Sequence, residues 1–115
     1  MKAILAAVLA LAPATGFAAE WKTLGENEIL AVLAGASVEY IAARQEFLSS
    51  GDTIWDTGEK QLGHWTVNGG KYCSQWPPSS EITCYTVEQM VEDESRIRFT
   101  DPQGKVSNGR ITGRK

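Results

Sequence analysis

From Gly35 to its end the chain is interrupted by a turn signal every eight to twelve residues, and this spacing limits the available folds more than any other feature. The breaks are Ser49-Ser50-Gly51-Asp52, Thr57-Gly58, Asn68-Gly69-Gly70, Glu92-Asp93-Glu94 and Asp101-Pro102-Gln103-Gly104. Asn-Gly is the strongest of them, because both residues accept the positive φ of a tight hairpin turn. Between the breaks lie runs rich in β-branched and aromatic residues: 38–42, 45–48, 53–56, 61–67, 71–74, 82–90, 96–100 and 105–112, the last with a bulge expected at Asn108-Gly109. Short strands in sequence, joined by short turns, pair with their neighbours. The fold predicted is mainly β, an antiparallel meander of about seven or eight strands curled into a small barrel or a half-open sheet. Alternation along the runs predicts an inward set of Val38, Tyr40, Phe47, Trp65, Val67, Tyr85, Val87, Ile97, Phe99 and Ile111.

One segment has a different period. Residues 26–34, ENEILAVLA, place Ile29, Leu30 and Leu33 on one apolar stripe, and Thr23 to Glu26 has the form of a capping box. Gly35 offers the left-handed stop. A helix this short does not hold itself in water, so it is expected to pack on the meander.

The first residues have the form of an export leader: Lys2, an apolar run from Ala3 to Ala12, a break at Pro13, and small residues at Gly16 and Ala18. Ten apolar residues are about half of what crosses a bilayer, so no membrane anchor is expected. Cleavage after Ala18 divides the chain into a signal peptide, 1–18, and a single β-rich domain, 19–115. That domain loses only Lys2 among its charges, leaving 10 basic against 14 acidic residues and a net charge of −4. Mild acidity disfavours nucleic acid as a partner. The expected location is periplasmic or secreted, where the two cysteines, Cys73 and Cys84, pair as one structural disulfide. A loop of about twelve residues closed in this way gains roughly 3 kcal/mol in the chain-entropy model.

Leu24, Glu28 and Ile29, then Leu33, Gly35, Ser37 and Val38, precede Gly63-x-Trp65-x-Val67-x-Gly69-Gly70, Tyr72-Cys73 and Cys84-Tyr85. This pattern resembles small exported bacterial domains, mostly proteobacterial, of the kind classed as domains of unknown function. Its Gly-x-Trp hairpin is shared with lipocalin-like meanders. The resemblance implies a periplasmic β-meander and assigns no functional residue.

No catalytic or metal-binding signature stands out, and neither an enzyme nor a cofactor is expected. His64 is the only histidine and alternates away from Trp65, towards solvent. Asp52 and Asp56 share a strand face at about 13 Å, too far for a shared proton. Glu92-Asp93-Glu94 lacks the spacing of a calcium loop. Lys105, Arg110, Arg114 and Lys115 have the look of a solvated basic face.

Four tryptophans are the richer signal. Trp55 flanks a turn, and Trp76 lies between the cysteines in Gln75-Trp76-Pro77-Pro78. Two prolines favour an extended, polyproline-like run and cannot donate to a ladder. Two readings stay open for Trp76: the anchor of a preorganised contact loop, or a lid folded over the core. The candidate binding residues are Gln75, Trp76, Pro77, Pro78 and Trp55. The function expected is a monomeric, non-enzymatic binding or interaction module whose partner is a protein or a small apolar ligand. Inhibition of an exported hydrolase, or lipocalin-like carriage of such a ligand, are the alternatives.

Overall fold

The computed structural model describes residues 18–115; the leader reading at 1–17 lies outside the described residues. Its elements are β1 (Trp21–Thr23), α1 (Glu26–Leu33), β2 (Ala36–Glu39), β3 (Arg44–Phe47), β4 (Asp52–Asp56), β5 (Lys60–Asn68), β6 (Lys71–Gln75), β7 (Ile82–Met90), β8 (Arg96–Thr100) and β9 (Val106–Arg114). Strands β2 to β9 pair antiparallel in sequence order, and β9 returns to β2 with Val38 opposite Ile111. The meander is therefore a closed eight-stranded barrel. Closure leaves none of these strands as a free edge of an open sheet.

The stagger of the barrel falls on β7. Its first half pairs with β6, from Gln75↔Ile82 to Tyr72↔Tyr85, and its second half with β8, from Thr86↔Thr100 to Gln89↔Ile97. The edge that β6 leaves uncovered is taken by β1, with Trp21 opposite Met90. The Arg98 guanidinium lies 4.2 Å from the Trp21 ring centroid and is ion-paired at 2.8 Å with Glu88.

All ten residues expected to face inward lie in the core or pack against it. Helix α1 stoppers one end of the barrel. Ile29 and Leu33, one turn apart, are fully buried, whereas Leu30 is 44 % exposed and does not belong to the docking stripe. The capping box expected at Thr23 does not form, because Thr23 is held in the β1 ladder opposite Glu88. The helix starts two residues later: Gly25 N–H donates to Glu28 Oε1 at 2.9 Å. At the other end Gly35 takes φ +81°, and a Cβ there would stand 2.7 Å from the Lys115 carbonyl oxygen.

That contact shows why the tail is ordered. Lys115 N–H donates to Gly35 O at 2.8 Å, and the Arg114 guanidinium donates to the carbonyls of Ala31, Val32 and Ala34 at 2.9–3.2 Å. Arg114 thus satisfies the orphan acceptors at the end of α1. The bulge expected at Asn108-Gly109 lies elsewhere. Ser37 pairs Gly113 and Val38 pairs Ile111, so Thr112 is the extra residue. Gly109 instead admits Val38 and Tyr40, whose side chains would stand 2.6 and 3.1 Å from a Cβ there.

Candidate functional site: an aromatic cup at the open end of the barrel

Up-and-down strands put alternate turns at opposite ends. The β3–β4 and β5–β6 turns lie with the helix, where Gly70 N–H donates to Glu26 Oε1 and Gly35 N–H to Phe47 O. The other end carries the β2–β3, β4–β5, β6–β7 and β8–β9 turns, and among the described residues no helix lies over it. Here the lumen opens as a cup of about 380 Å³. That is within the range of pockets that enclose a small molecule.

The floor is polar and buried. Gln45 is 4 % exposed, and its amide is fully used. Oε1 accepts from the Tyr40 hydroxyl at 2.8 Å, while Nε2 donates to Thr53 Oγ1 at 3.0 Å and to the Tyr72 hydroxyl at 3.1 Å. Thr53 passes its own proton to the Glu46 carbonyl at 2.7 Å. A buried glutamine is tolerable only with its donors and acceptor matched in this way. Ser74 and Phe99 complete the base.

The walls are aromatic. Tyr40 and Trp55 meet with ring centroids 5.2 Å apart, Tyr72 and Tyr85 at 5.6 Å, and Tyr72 and Phe99 at 5.3 Å. Trp76, just beyond β6, continues the inward alternation of Tyr72 and Ser74. Its indole lies against Gly63: a Cβ on that glycine would be 2.5 Å from Trp76 Cε3. Its Nε1–H donates to Ser74 Oγ at 3.3 Å. Gln61 and Ser107 are exposed at the rim.

Burial keeps the cup's phenols neutral. It pushes Tyr40 well above the usual phenol range, with the neighbouring phenols of Tyr72 and Tyr85 adding to the effect. It pushes Tyr72 up to about 12, against the hydrogen bonds from Ser74 and Gln45, which pull the other way. Tyr85 is raised by burial and then by the negative charge of Asp101. The remaining lining side chains carry no ionisable group.

Of the five candidate binding residues, the structure brings Trp55 and Trp76 together around the cup and leaves three outside it. Gln75 points to the outer wall, between His64 and Ile82 in the ladder. Pro77 and Pro78 are exposed at the tip of the β6–β7 loop. Ser79 N–H donates to Trp76 O at 3.1 Å across them, so the segment is a closed turn and not an extended run. The Cys73–Cys84 disulfide is present, with an S–S distance of 2.06 Å. The cysteines are direct cross-strand partners that alternate with the inward Tyr72 and Ser74. Two further ladder pairs separate them from the loop. The bond therefore ties β6 to β7 and touches the loop only through that hairpin.

Elsewhere the chemistry is modest. His64 is exposed on the outer wall, its Nδ1 3.2 Å from Asp52 Oδ1. Asp93 accepts from Ser95 N–H and Oγ–H at 3.1 and 2.7 Å; those bonds, with Arg110 and Arg96 nearby, hold its carboxyl below the usual range. Among the described residues no three His, Cys, Asp or Glu side chains converge as metal ligands would. Sequence reasoning missed Gln45, Gln61, Tyr72, Ser74 and Ser107. The signal was available, since each lies on the strand alternation that runs through, or pairs opposite, an inward aromatic, aliphatic or glycine. No protein-family model, curated protein or solved structure matches this chain.

Proposed function

We propose that this protein is an exported, non-enzymatic binding protein, periplasmic or secreted, that carries a small ligand in the open end of its barrel. The observation that supports this reading is the aromatic-walled cup of about 380 Å³, lying opposite an end that α1 closes. Eight strands enclose a lumen that side chains can fill or that can hold one small molecule. Here the lower half is filled and the upper half is open.

The disulfide and the leader-like start of the chain agree with an oxidising compartment outside the cytosol. A contact loop anchored on Trp76 is less favoured, because the indole is turned into the cup and spends its face on Gly63.

Saturable binding of the fluorophore N-phenyl-1-naphthylamine tests the reading, with excitation transfer from Trp55 and Trp76 reporting its position. The expected result is one-to-one binding that Trp55→Ala weakens by about tenfold or more, the scale of one lost aromatic contact. Absence of saturable binding, together with native mass spectra of the protein from its own source that show no bound small molecule, would overturn it.

A further inference from the structure

The cup differs in kind from the rest of the interior. The fully buried aliphatic side chains, Ile29, Leu33, Val38, Val87 and Ile97, are all absent from its lining. No leucine, isoleucine or valine faces the open volume, and every apolar surface there is an aromatic ring. Aliphatic walls suit flexible acyl chains. Ring walls offer flat π faces that pair best with another flat ring, in offset or edge-on contact.

The lining also has no aspartate, glutamate, lysine, arginine or histidine. An anionic ligand would give up its water there without meeting a counter-charge, which costs more than any neutral hydrogen bond returns. The turns around the rim carry Glu59, Glu81 and Asp101 against Lys105, so the approach gives no help to an anion. What the site does offer is neutral hydrogen bonding, from the Tyr72 hydroxyl, Ser74 and the Gln61 amide.

Resting on the carrier reading above, we infer that the ligand is a planar aromatic molecule with hydrogen-bonding oxygen or nitrogen and no negative charge, and not a fatty acid or another anion. The ring lies among Trp55, Trp76 and Tyr85, with its polar edge towards Tyr72 and Ser74 at the base. The cup selects by shape and against negative charge.

A matched series on one ring isolates the charge. Calorimetric titration at neutral pH with 2-naphthol and 2-naphthalenesulfonate, and with decanoate as the acyl arm, should rank 2-naphthol first. Each of the other two should bind at least about tenfold more weakly, the size expected for an unpaired negative charge in a desolvated site. Ser107→Lys, at the exposed rim, supplies the missing counter-charge and should recover most of the sulfonate's deficit. If the sulfonate or decanoate binds the native protein as tightly as 2-naphthol, the inference falls while the carrier reading stands. If none of the three binds and N-phenyl-1-naphthylamine also fails, both fall together.

Discussion

Gly63→Ala adds one methyl group to the wall of the cup, and its consequences follow from three distances. The new Cβ would lie 2.5 Å from Trp76 Cε3, 2.7 Å from Cζ3 and 2.8 Å from the Gln75 carbonyl oxygen. Carbon atoms rest at about 3.5–4.0 Å, so the indole must move by roughly 1 Å or more. Gly63 does not occupy the positive-φ region, and the effect is therefore steric and not conformational. Overpacking of this kind costs about 1–3 kcal/mol. Replacing glycine restricts the unfolded chain and returns about 0.4–1 kcal/mol. The expected net loss is about 1–2 kcal/mol, seen as a lower urea midpoint with an unchanged slope. In a domain of this size that lowers Tm by roughly 5–15 °C.

The double variant Gly63→Ala/Trp76→Ala sharpens the test. Removing the indole leaves room for the methyl group, apart from the Gln75 carbonyl, so the two losses should not add. The double variant should be more stable than the sum of the singles by roughly 1 kcal/mol or more. A Gly63→Ala protein with the native midpoint, or strictly additive singles, would refute the placement of Trp76 against β5.

Gln45→Leu keeps the volume of the floor but strands the hydroxyls of Tyr40 and Tyr72, and should cost about 2–4 kcal/mol in urea unfolding; a loss under about 1 kcal/mol would show that the network contributes little. The tyrosines set an alkaline limit. The unfolded phenols ionise near pH 10, whereas burial raises Tyr40, Tyr72 and Tyr85 in the folded state, Tyr72 to about 12. The unfolded chain then holds fewer protons, so stability is level up to about pH 10 and falls as pH rises towards 12. Phenolate absorbance checks the sign, and three folded-state phenols titrating together near pH 10 would contradict it.

How much of this was legible in the sequence depends on which force decides each element. Local chemistry decides the hairpins: Asn68-Gly69-Gly70 turns β5 into β6, and β7 and β8 begin and end where their sequence runs do. Alternation decides the inward set. β1 was not legible, because three residues have no usable period and the strand exists only where β6 leaves an edge of β7 uncovered. The role of Arg114, expected on a solvated basic face, was not legible for a similar reason, since nothing local to it foretells that it caps a helix some eighty residues earlier. Trp76 is more instructive. The period running through Tyr72 and Ser74 points it inward, but the two prolines that follow dominate the local pattern and suggest an excursion from the sheet. The strand's periodicity outlasts the strand by one residue. Gln45 carries the same lesson, as a polar residue at an inward position is a reason to look for partners and not to discard the position.

The shape of the cup follows from where the chain places small residues. Phe47, Trp65 and Phe99 are large enough to fill the lumen near α1, and their rings pack with centroids 5.7–6.1 Å apart. Towards the mouth the inward positions of β5, β6 and β9 carry Gly63, Ser74 and Ser107 instead. Gly63 lets the largest side chain of the mouth lie flat along the wall and not across the opening. Ser74 holds its indole N–H there. Aromatic bulk is thus fixed to the walls while the axis stays clear, and the buried Gln45 amide with its tyrosine partners gives the space a polar floor. A barrel selected for stability alone would put a leucine or phenylalanine at one of those three positions and gain the buried area. The chain fills the half of its interior next to α1 for folding and leaves the mouth open, and an interior divided in this way has room for a ligand.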